Sequence, residues 1–246
     1  MTEARFHRAA LAALALTGLT MPAFGQEGAS RISWAPSYSG SCSDCALAGG
    51  NMAGWNISNA HYSGANLSGA NLRFVTAHAS NFDRAKAAGV DLRRADMTGS
   101  SFLGTELTGA RVGGTTFSGG NLSRAQLNTA TMGEAIFTGC TMTHTQFQQV
   151  YAVGADFSAA NLSRANFTQA NLTDAVFDNA VMVDADMTLA IVTGASFRDV
   201  RFGNADLSTL IGADTADFEG ACGTLETKLP NSLTLRNCET YDALAD

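Results

Sequence analysis

The chain has 246 residues, of which 46% are hydrophobic and 15% are charged, and its formal net charge is −7. So few charged residues argue against an intrinsically disordered chain, which needs low hydrophobicity and high net charge. A mildly acidic chain is also a poor candidate for nucleic-acid binding, because that binding depends on releasing counterions from phosphates.

The N-terminus has the pattern of a secretory signal peptide. A basic start with Arg5 and Arg8 precedes an uncharged run at 9–21, and a small-residue cleavage pattern ends at Gly25. The apolar run is too short to cross a bilayer, which takes about 20 residues. We therefore predict that residues 1–25 are removed and that the mature protein is periplasmic or secreted, without a membrane span. An uncleaved N-terminal anchor is the alternative.

Residues 26–41 follow the predicted cleavage site and lack any period, although they contain Trp34, Pro36 and Tyr38. A stack of repeats exposes an open end that must be covered. We interpret 26–41 as the N-terminal cap of the repeats that follow.

A period of five dominates the chain from Leu47 to Leu207. Thirty of the 33 positions at this spacing hold a large apolar residue. The three exceptions are Ala77, Ala87 and Ala152. The residue two positions earlier is alanine at 19 of the 30 places between Ala60 and Ala205. The residue between them is often Asn or Asp, and the last residue of the five is often Gly.

Neither an α-helix, with period 3.6, nor an exposed strand, with period 2, explains this pattern. A coil with one side every five residues and four sides per turn explains it, with the large and the small residue pointing inward. Successive coils would then pair as short parallel strands about 4.8 Å apart, which gives about 8 coils.

The five-residue runs resemble the motif of the pentapeptide-repeat family, A-(D/N)-L-x-x. Ala65 to Gly69, Ala160 to Arg164 and Ala170 to Asp174 carry the resemblance. It implies an all-β fold, a right-handed quadrilateral parallel β-helix, which we place at 42–220. A fold of this kind does not define a function.

Residues 20 apart should stack in columns. One inward column is a predicted ladder of aromatic rings, formed by Phe117, Phe137, Phe157, Phe177 and Phe197. The three alanine exceptions should leave small gaps in such columns or let neighbouring side chains lean in. One outward column, with Arg84, Arg124, His144 and Arg164, could bind an anionic ligand or could reflect only the tolerance of arginine at an exposed position.

Eight apolar residues occupy outward positions, where polar residues are expected. They are Ile136, Tyr151, Val153, Val176, Val181, Val183, Leu189 and Ile191. Contiguous exposed apolar surface usually marks a contact with a partner. We therefore predict an interface with an unknown protein partner or with a second copy; isolated surface hydrophobes without a function are the alternative.

The phase of the repeat slips near the C-terminus, because Phe218 lies 11 residues after Leu207. We predict a bulged coil there and a C-terminal cap at 221–246. Cys222 and Cys238 lie in this cap at a separation that suits a disulfide, which an exported protein can form.

Three cysteines remain. Cys140 falls on an inward small position and is predicted to be a buried free thiol. Cys42 and Cys45 form a C-x-x-C pair, which could be a redox dithiol or half of a zinc site. The pair resembles the cysteines that often open the repeats in this family, which implies a structural role as a disulfide or as packed thiols.

Little in the sequence indicates catalysis. His61, His78 and His144 lie in different columns, and we expect no metal and no cofactor. The sequence therefore predicts a non-enzymatic exported scaffold that mediates protein interaction. Some members of the family are acidic rods that mimic DNA and bind DNA gyrase, and the acidic stretch from Asp156 to Glu219 is compatible with that alternative. The predicted signal peptide argues against it, because gyrase is cytoplasmic.

Overall fold

The computed structural model describes residues 41–238. The predicted signal peptide at 1–25 lies outside the described residues, as do the predicted N-terminal cap except for Ser41 and the last eight residues of the chain.

Isolated parallel β-bridges join each coil to the next. Ala46 pairs with Asn66, Asn51 with Asn71, and every fifth residue up to Ile191 pairs with the residue 20 positions later. Four bridges therefore fall within each 20-residue turn, one on each side. The described repeats form the four-sided coil that the period of five predicts.

A tight turn separates each side from the next. In a representative turn the N–H of Ala60 donates to the carbonyl of Ile57 at 3.1 Å, and Asn59 has a φ of 60°. A positive φ at the third residue of a four-residue turn is the mark of a type II turn. All 33 corresponding positions from Asp44 to Asn204 have positive φ, and 13 of them are glycine. This geometry explains why the last residue of the motif is often Gly.

The backbone bonds between coils follow one scheme at nearly every repeat. The N–H of Leu67 donates to the carbonyl of Lys86 at 2.6 Å, and the N–H of Gly69 donates to that of Ala88 at 2.8 Å. The N–H of Lys86 returns a bond to the carbonyl of Ala65 at 2.9 Å. Together with the turn, this scheme satisfies four of the five N–H groups in each repeat.

The fifth N–H belongs to the outward residue that follows the large apolar residue. The N–H of Ser163 donates to Oδ1 of Asn161, and that of Thr173 to Oδ1 of Asn171, both at 3.1 Å. Asn or Asp caps the N–H two residues later in this way at 15 places. This Asx turn is the physical reason for Asn and Asp in the motif.

The interior is filled by the large and small residues of the motif. The predicted ladder is present, with ring centroids 5.0 Å apart from Phe117 to Phe137 and 4.9 Å apart from Phe177 to Phe197. It continues to Phe218 at 4.9 Å. Such stacks add about 0.5–1.5 kcal/mol per pair beyond burial.

Polar residues at the small inward position are satisfied by the carbonyls that close the turns. The hydroxyls of Thr105 and Thr145 donate to the carbonyls of Phe82 and Leu122 at 2.7 and 2.8 Å. Cys140 makes the equivalent contact, with its Sγ 3.0 Å from the carbonyl oxygen of Phe117. Burial raises the pKa of the Cys140 thiol to about 11, which disfavours the reactive thiolate.

A small internal gap lies beside Ala87, one of the three alanines in the large-residue positions. Leu67 and Leu107, its neighbours in the column, also line the gap, as does Phe82. The gap agrees with the shorter side chain of Ala87. Ala77 and Ala152 are also fully buried but do not line this gap.

The register changes at the C-terminal end. Ile191 pairs with Ile211 at a separation of 20, Ser196 with Asp217 at 21, and Asp206 with Lys228 at 22. Two single-residue insertions therefore enter these last coils, and the pairing continues beyond Gly220.

Two short strands close this end. Strand β1 (Cys222–Gly223) pairs in parallel with strand β2 (Arg236–Asn237). A disulfide joins Cys222 to Cys238, with 4.9 Å between their Cα atoms. The Lys228 ammonium lies 2.7 Å from the Asp206 carboxylate and holds the pKa of that carboxyl below its usual range. These contacts fasten the irregular end to the regular coils.

Candidate functional site

The outward apolar residues differ in exposure. Tyr151 is 52% exposed, Leu189 43% and Ile136 37%. The other five are half-buried: Val153, Val176, Val181, Val183 and Ile191. Only the first three therefore expose a large part of an apolar side chain to solvent.

The structure spreads these residues over adjoining sides of the coil. Tyr151 and Ile191 belong to one column, with Asn171 between them. Ile136 and Val176 belong to the next column, with Asp156 between them. Polar residues therefore interrupt both columns, and the predicted interface is a set of neighbouring apolar spots, not one continuous patch.

Three further exposed apolar residues were missed by the sequence reasoning. Ile211 is 49% exposed and pairs directly with Ile191, so it extends that column. Leu225, which is 94% exposed, and Phe74, which is 49% exposed, lie apart from the predicted set. Ile211 could have been found by adding 20 to 191, but the slip in phase hid the continuation of the column.

Cys42 and Cys45 form a disulfide at the start of the described coils, with 5.5 Å between their Cα atoms. Cys42 packs against the hydrophobic core. Of the alternatives that the sequence left open, the disulfide is a structural one.

The histidines of the described coils do not come together. His61 and His78 lie in different columns, and Nε2 of His78 lies 2.8 Å from the carboxylate of Asp96. In the part of the chain from 41 to 238, no group of three His, Cys, Asp or Glu side chains could hold a metal ion. The same residues contain no helix long and apolar enough to cross a membrane.

One side of the coil carries a cluster of arginines around a buried carboxylate. Asp91 is only 5% exposed, and Arg93 donates to both of its oxygens, at 2.9 and 2.7 Å. Arg111, one coil further on, lies 3.4 Å from the same carboxylate. The hydrogen bond from the Arg93 side chain, with its N–H and the charge of Arg111, holds the pKa of Asp91 below its usual range.

Two more arginines flank this pair. The guanidinium of Arg73 lies 5.1 Å from the ring centroid of Phe74, and its buried Nε has no hydrogen-bond partner. The side chain of Arg94 runs along the backbone of Gly114, with Cγ 3.7 Å from the place of a Cβ there. Sequence reasoning missed this cluster because its arginines belong to three neighbouring columns, and only their side-chain contacts bring them together. In that column Arg164 is paired with Asp184 at 3.2 Å.

The family model of pentapeptide repeats matches the chain in eight copies. The matched residues are 51–86, 80–119, 121–158 and 155–194. No curated protein matches the chain.

Several solved structures are similar. HetL, a pentapeptide repeat protein involved in heterocyst differentiation regulation from the cyanobacterium Nostoc sp. strain PCC 7120, is 20% identical, with 76% of this chain and 87% of HetL covered and a TM-score of 0.36. QnrB1, a plasmid-mediated fluoroquinolone resistance protein, is 17% identical, with 64% and 86% covered and a TM-score of 0.38. A pentapeptide repeat protein from the Arabidopsis thaliana thylakoid lumen is 22% identical, with 66% and 68% covered and a TM-score of 0.16.

At these identities and TM-scores the solved structures carry no argument about what this chain does. The match to the repeats is different, because it extends over more than half of the chain and coincides with the observed coils. The chain therefore belongs to the pentapeptide repeat family, whose fold is a right-handed β-helix with four sides per coil.

Proposed function

We propose that this protein is a non-enzymatic scaffold that is exported and mediates protein interaction in the periplasm or outside the cell. The observation that carries the proposal is the exposure of large apolar side chains on a backbone that is bonded from coil to coil. Tyr151 and Ile211 are about half exposed, at 52% and 49%, in positions where the motif calls for Asn or Asp. Exposed apolar groups on a fixed frame favour a protein contact, with a partner or with a second copy.

Export is supported by the signal-peptide pattern at 1–25 and by the chemistry of the cysteines. Two disulfides, Cys42–Cys45 and Cys222–Cys238, use four of the five cysteines. Structural disulfides persist in oxidising compartments and are rare in the cytosol.

A non-catalytic role is supported by the filled interior. The inward positions are occupied by packed side chains, and apolar residues together with Thr105 line the gap beside Ala87. The spacing of 20 residues between paired positions supports the expected total of about 8 coils.

The first experiment is fractionation of the native host, with mass spectrometry of the protein before and after reduction. We expect a periplasmic or secreted species that begins at Gln26 and is lighter by about four hydrogens before reduction, as two disulfides require. A full-length cytoplasmic species with free thiols would contradict the proposal. The DNA-mimic alternative would then be examined with a gyrase supercoiling assay.

The interaction itself is tested with a photo-crosslinking amino acid placed at Tyr151, with the same group at Phe74 as the matched control. Both side chains are exposed to a similar degree, but only Tyr151 belongs to the predicted interface. We expect a discrete crosslinked product from Tyr151 that Ile211→Asn reduces, since Ile211 extends the column of Tyr151. Equal products from both positions would contradict an interface at this place.

A further inference from the structure

The side of the coil with the arginine cluster also has backbone donors that are left without acceptors. At 15 places Asn or Asp caps the N–H two residues later. At several other places a different residue holds that position, as Arg111 and Thr131 do on this side. Among the described residues, no oxygen accepts from the N–H of Gly113 or of Gly133.

These two N–H groups lie at the outer surface. The Asn and Asp side chains that cap the equivalent groups elsewhere are themselves outward residues, so the N–H must face the same way. Gly113 and Gly133 carry no side chain that could cover the donors, and each is part-exposed. Adjacent coils put the two groups about 4.8 Å apart, which places two parallel donors within reach of a single oxyanion.

The charges around these donors favour an anion. Arg94 lies beside Gly114, and within the described coils no carboxylate forms an ion pair with it. Arg93 and Arg111 share the single carboxylate of Asp91, which leaves one positive charge in excess.

Two carboxylates on this part of the surface must be weighed against the arginines. Glu134 follows Gly133 directly, and its side chain runs along the next coil, with Cγ 3.9 Å from the place of a Cβ at Gly154. Asp96, on the next side, is held by His78 at 2.8 Å and by the hydroxyl of Thr98 at 2.6 Å. With Glu134 counted, the arginines on this side still outnumber the carboxylates.

We propose that this place is a binding site for an oxyanion group, a phosphate, sulfate or carboxylate. The N–H groups of Gly113 and Gly133 donate to its oxygens, and the guanidinium groups of Arg94 and Arg111 balance its charge. Backbone amides combined with arginine are the donors that anions prefer in proteins, because charge-assisted hydrogen bonds are the strong ones. Tyr151 of the proposed protein contact pairs with Thr131 from the next coil, so the two places adjoin, but the groups that bind here are backbone N–H groups and arginines, not apolar side chains.

The test is a titration with sodium phosphate, sodium sulfate or sodium acetate at constant ionic strength, followed by the amide NMR signals of the ¹⁵N-labelled full mature protein. We expect saturable shifts at Gly113 and Gly133 that sodium chloride does not reproduce. Shifts with phosphate and sulfate alone would assign the site to tetrahedral anions, and shifts with acetate as well would assign it to carboxylates too. Without saturable shifts for any of the three anions, the proposal is wrong.

A matched pair of variants separates the site from a general effect of charge. Thr131→Asn supplies the acceptor that caps Gly133 without changing the charge, and Thr141→Asn makes the same change on another side. We expect Thr131→Asn to weaken binding about tenfold, the effect of losing one charge-assisted hydrogen bond, and Thr141→Asn to leave it unchanged. Equal effects of the two variants would overturn the proposal.

The role of the arginine is tested in the same assay. Arg94→Gln should weaken binding about tenfold, as expected for losing a close opposite charge, whereas Arg124→Gln, at the corresponding corner of another side, should not. Gln already occupies such a corner at Gln149 and Gln169, so the substituted residue suits the backbone. If Arg94→Gln leaves anion binding unchanged, the proposed site is wrong.

Discussion

The aromatic ladder makes Phe157 the most informative residue to remove. Its ring is fully buried and stacks on Phe137 at 5.0 Å and on Phe177 at 4.8 Å. It also meets Phe147 and Phe167 edge to face, both at 5.9 Å. Four aromatic neighbours therefore lose a partner when this one ring is replaced by alanine.

The magnitude follows from burial and from these contacts. Removing a buried phenylalanine side chain costs about 3–5 kcal/mol in free energy of unfolding, because the cavity adds to the lost transfer energy. Aromatic pairs add about 0.5–1.5 kcal/mol each beyond burial, and the coil above and below is fixed by backbone bonds, so collapse of the cavity is restricted. We expect Phe157→Ala to lie near the upper limit, at about 5 kcal/mol.

The assay is urea unfolding of the mature protein followed by circular dichroism, with Phe74→Ala as the control. Phe74 is 49% exposed at a corner, so its replacement should change the free energy of unfolding by less than about 1 kcal/mol. Phe157→Leu should cost about 1–2 kcal/mol, since most of the volume is kept while the stacking is lost. If Phe157→Ala costs no more than Phe74→Ala, the ring does not support the stack in the way described.

Three further changes test the turns and the charges. Asn161→Ala should cost about 1 kcal/mol, because it uncaps the N–H of Ser163, whereas Gln126→Ala, at an equivalent outward position without such a bond, should be nearly neutral; urea unfolding compares them. Thr129→Gly should raise the free energy of unfolding by about 0.5–1 kcal/mol, since Thr129 has a φ of 59°, which glycine adopts at less cost. Thr131→Gly should lower the free energy of unfolding, and the reverse order would contradict the assigned turn. Asp91→Asn should lower stability at neutral pH. Because the folded pKa of Asp91 is lowered, that loss should shrink as pH falls below the unfolded value of about 3.9 and through the folded pKa, which unfolding curves across pH would reveal.

The inward half of the fold could be predicted from the sequence because the period of five fixes it. The column from Phe117 to Phe197 needs only two facts, one side every five residues and four sides per coil. Packing then determines the rest, since a large side chain in that position has nowhere else to lie. The one-residue slip before Phe218 was also visible, because its spacing from Leu207 is 11.

The outward half of the fold was harder to predict from the sequence, for two physical reasons. Outward side chains are not fixed by packing. The residue that each one contacts therefore depends on the length and direction of the side chain as well as on its column. The convergence of Arg93 and Arg111 on Asp91 required the bidentate geometry, which spacing alone does not give. The second insertion, before Lys228, was missed because the residues there lack the motif.

Both proposals trace to one position of the motif, the outward residue that is usually Asn or Asp. Where Tyr151 or Ile191 replaces it, an apolar side chain faces outward; where Arg111 or Thr131 replaces it, a backbone N–H is left open. Each replacement gives up a capping bond worth about 1 kcal/mol. Such losses are typical of sites where stability is exchanged for function.

The exchange of stability for anion binding can be measured directly at Thr131. Thr131→Asn restores the capping bond to Gly133, so the free energy of unfolding should rise by about 0.5–1 kcal/mol while anion binding weakens. Thr141→Asn restores the equivalent bond to Thr143 and should raise stability by a similar amount with binding intact. The two variants, unfolded in urea and titrated with phosphate, thus separate stability from binding at the same motif position. A Thr131→Asn protein that is no more stable than the parent would show that the open N–H carries no cost, and the link between the missing cap and a selected function would fail.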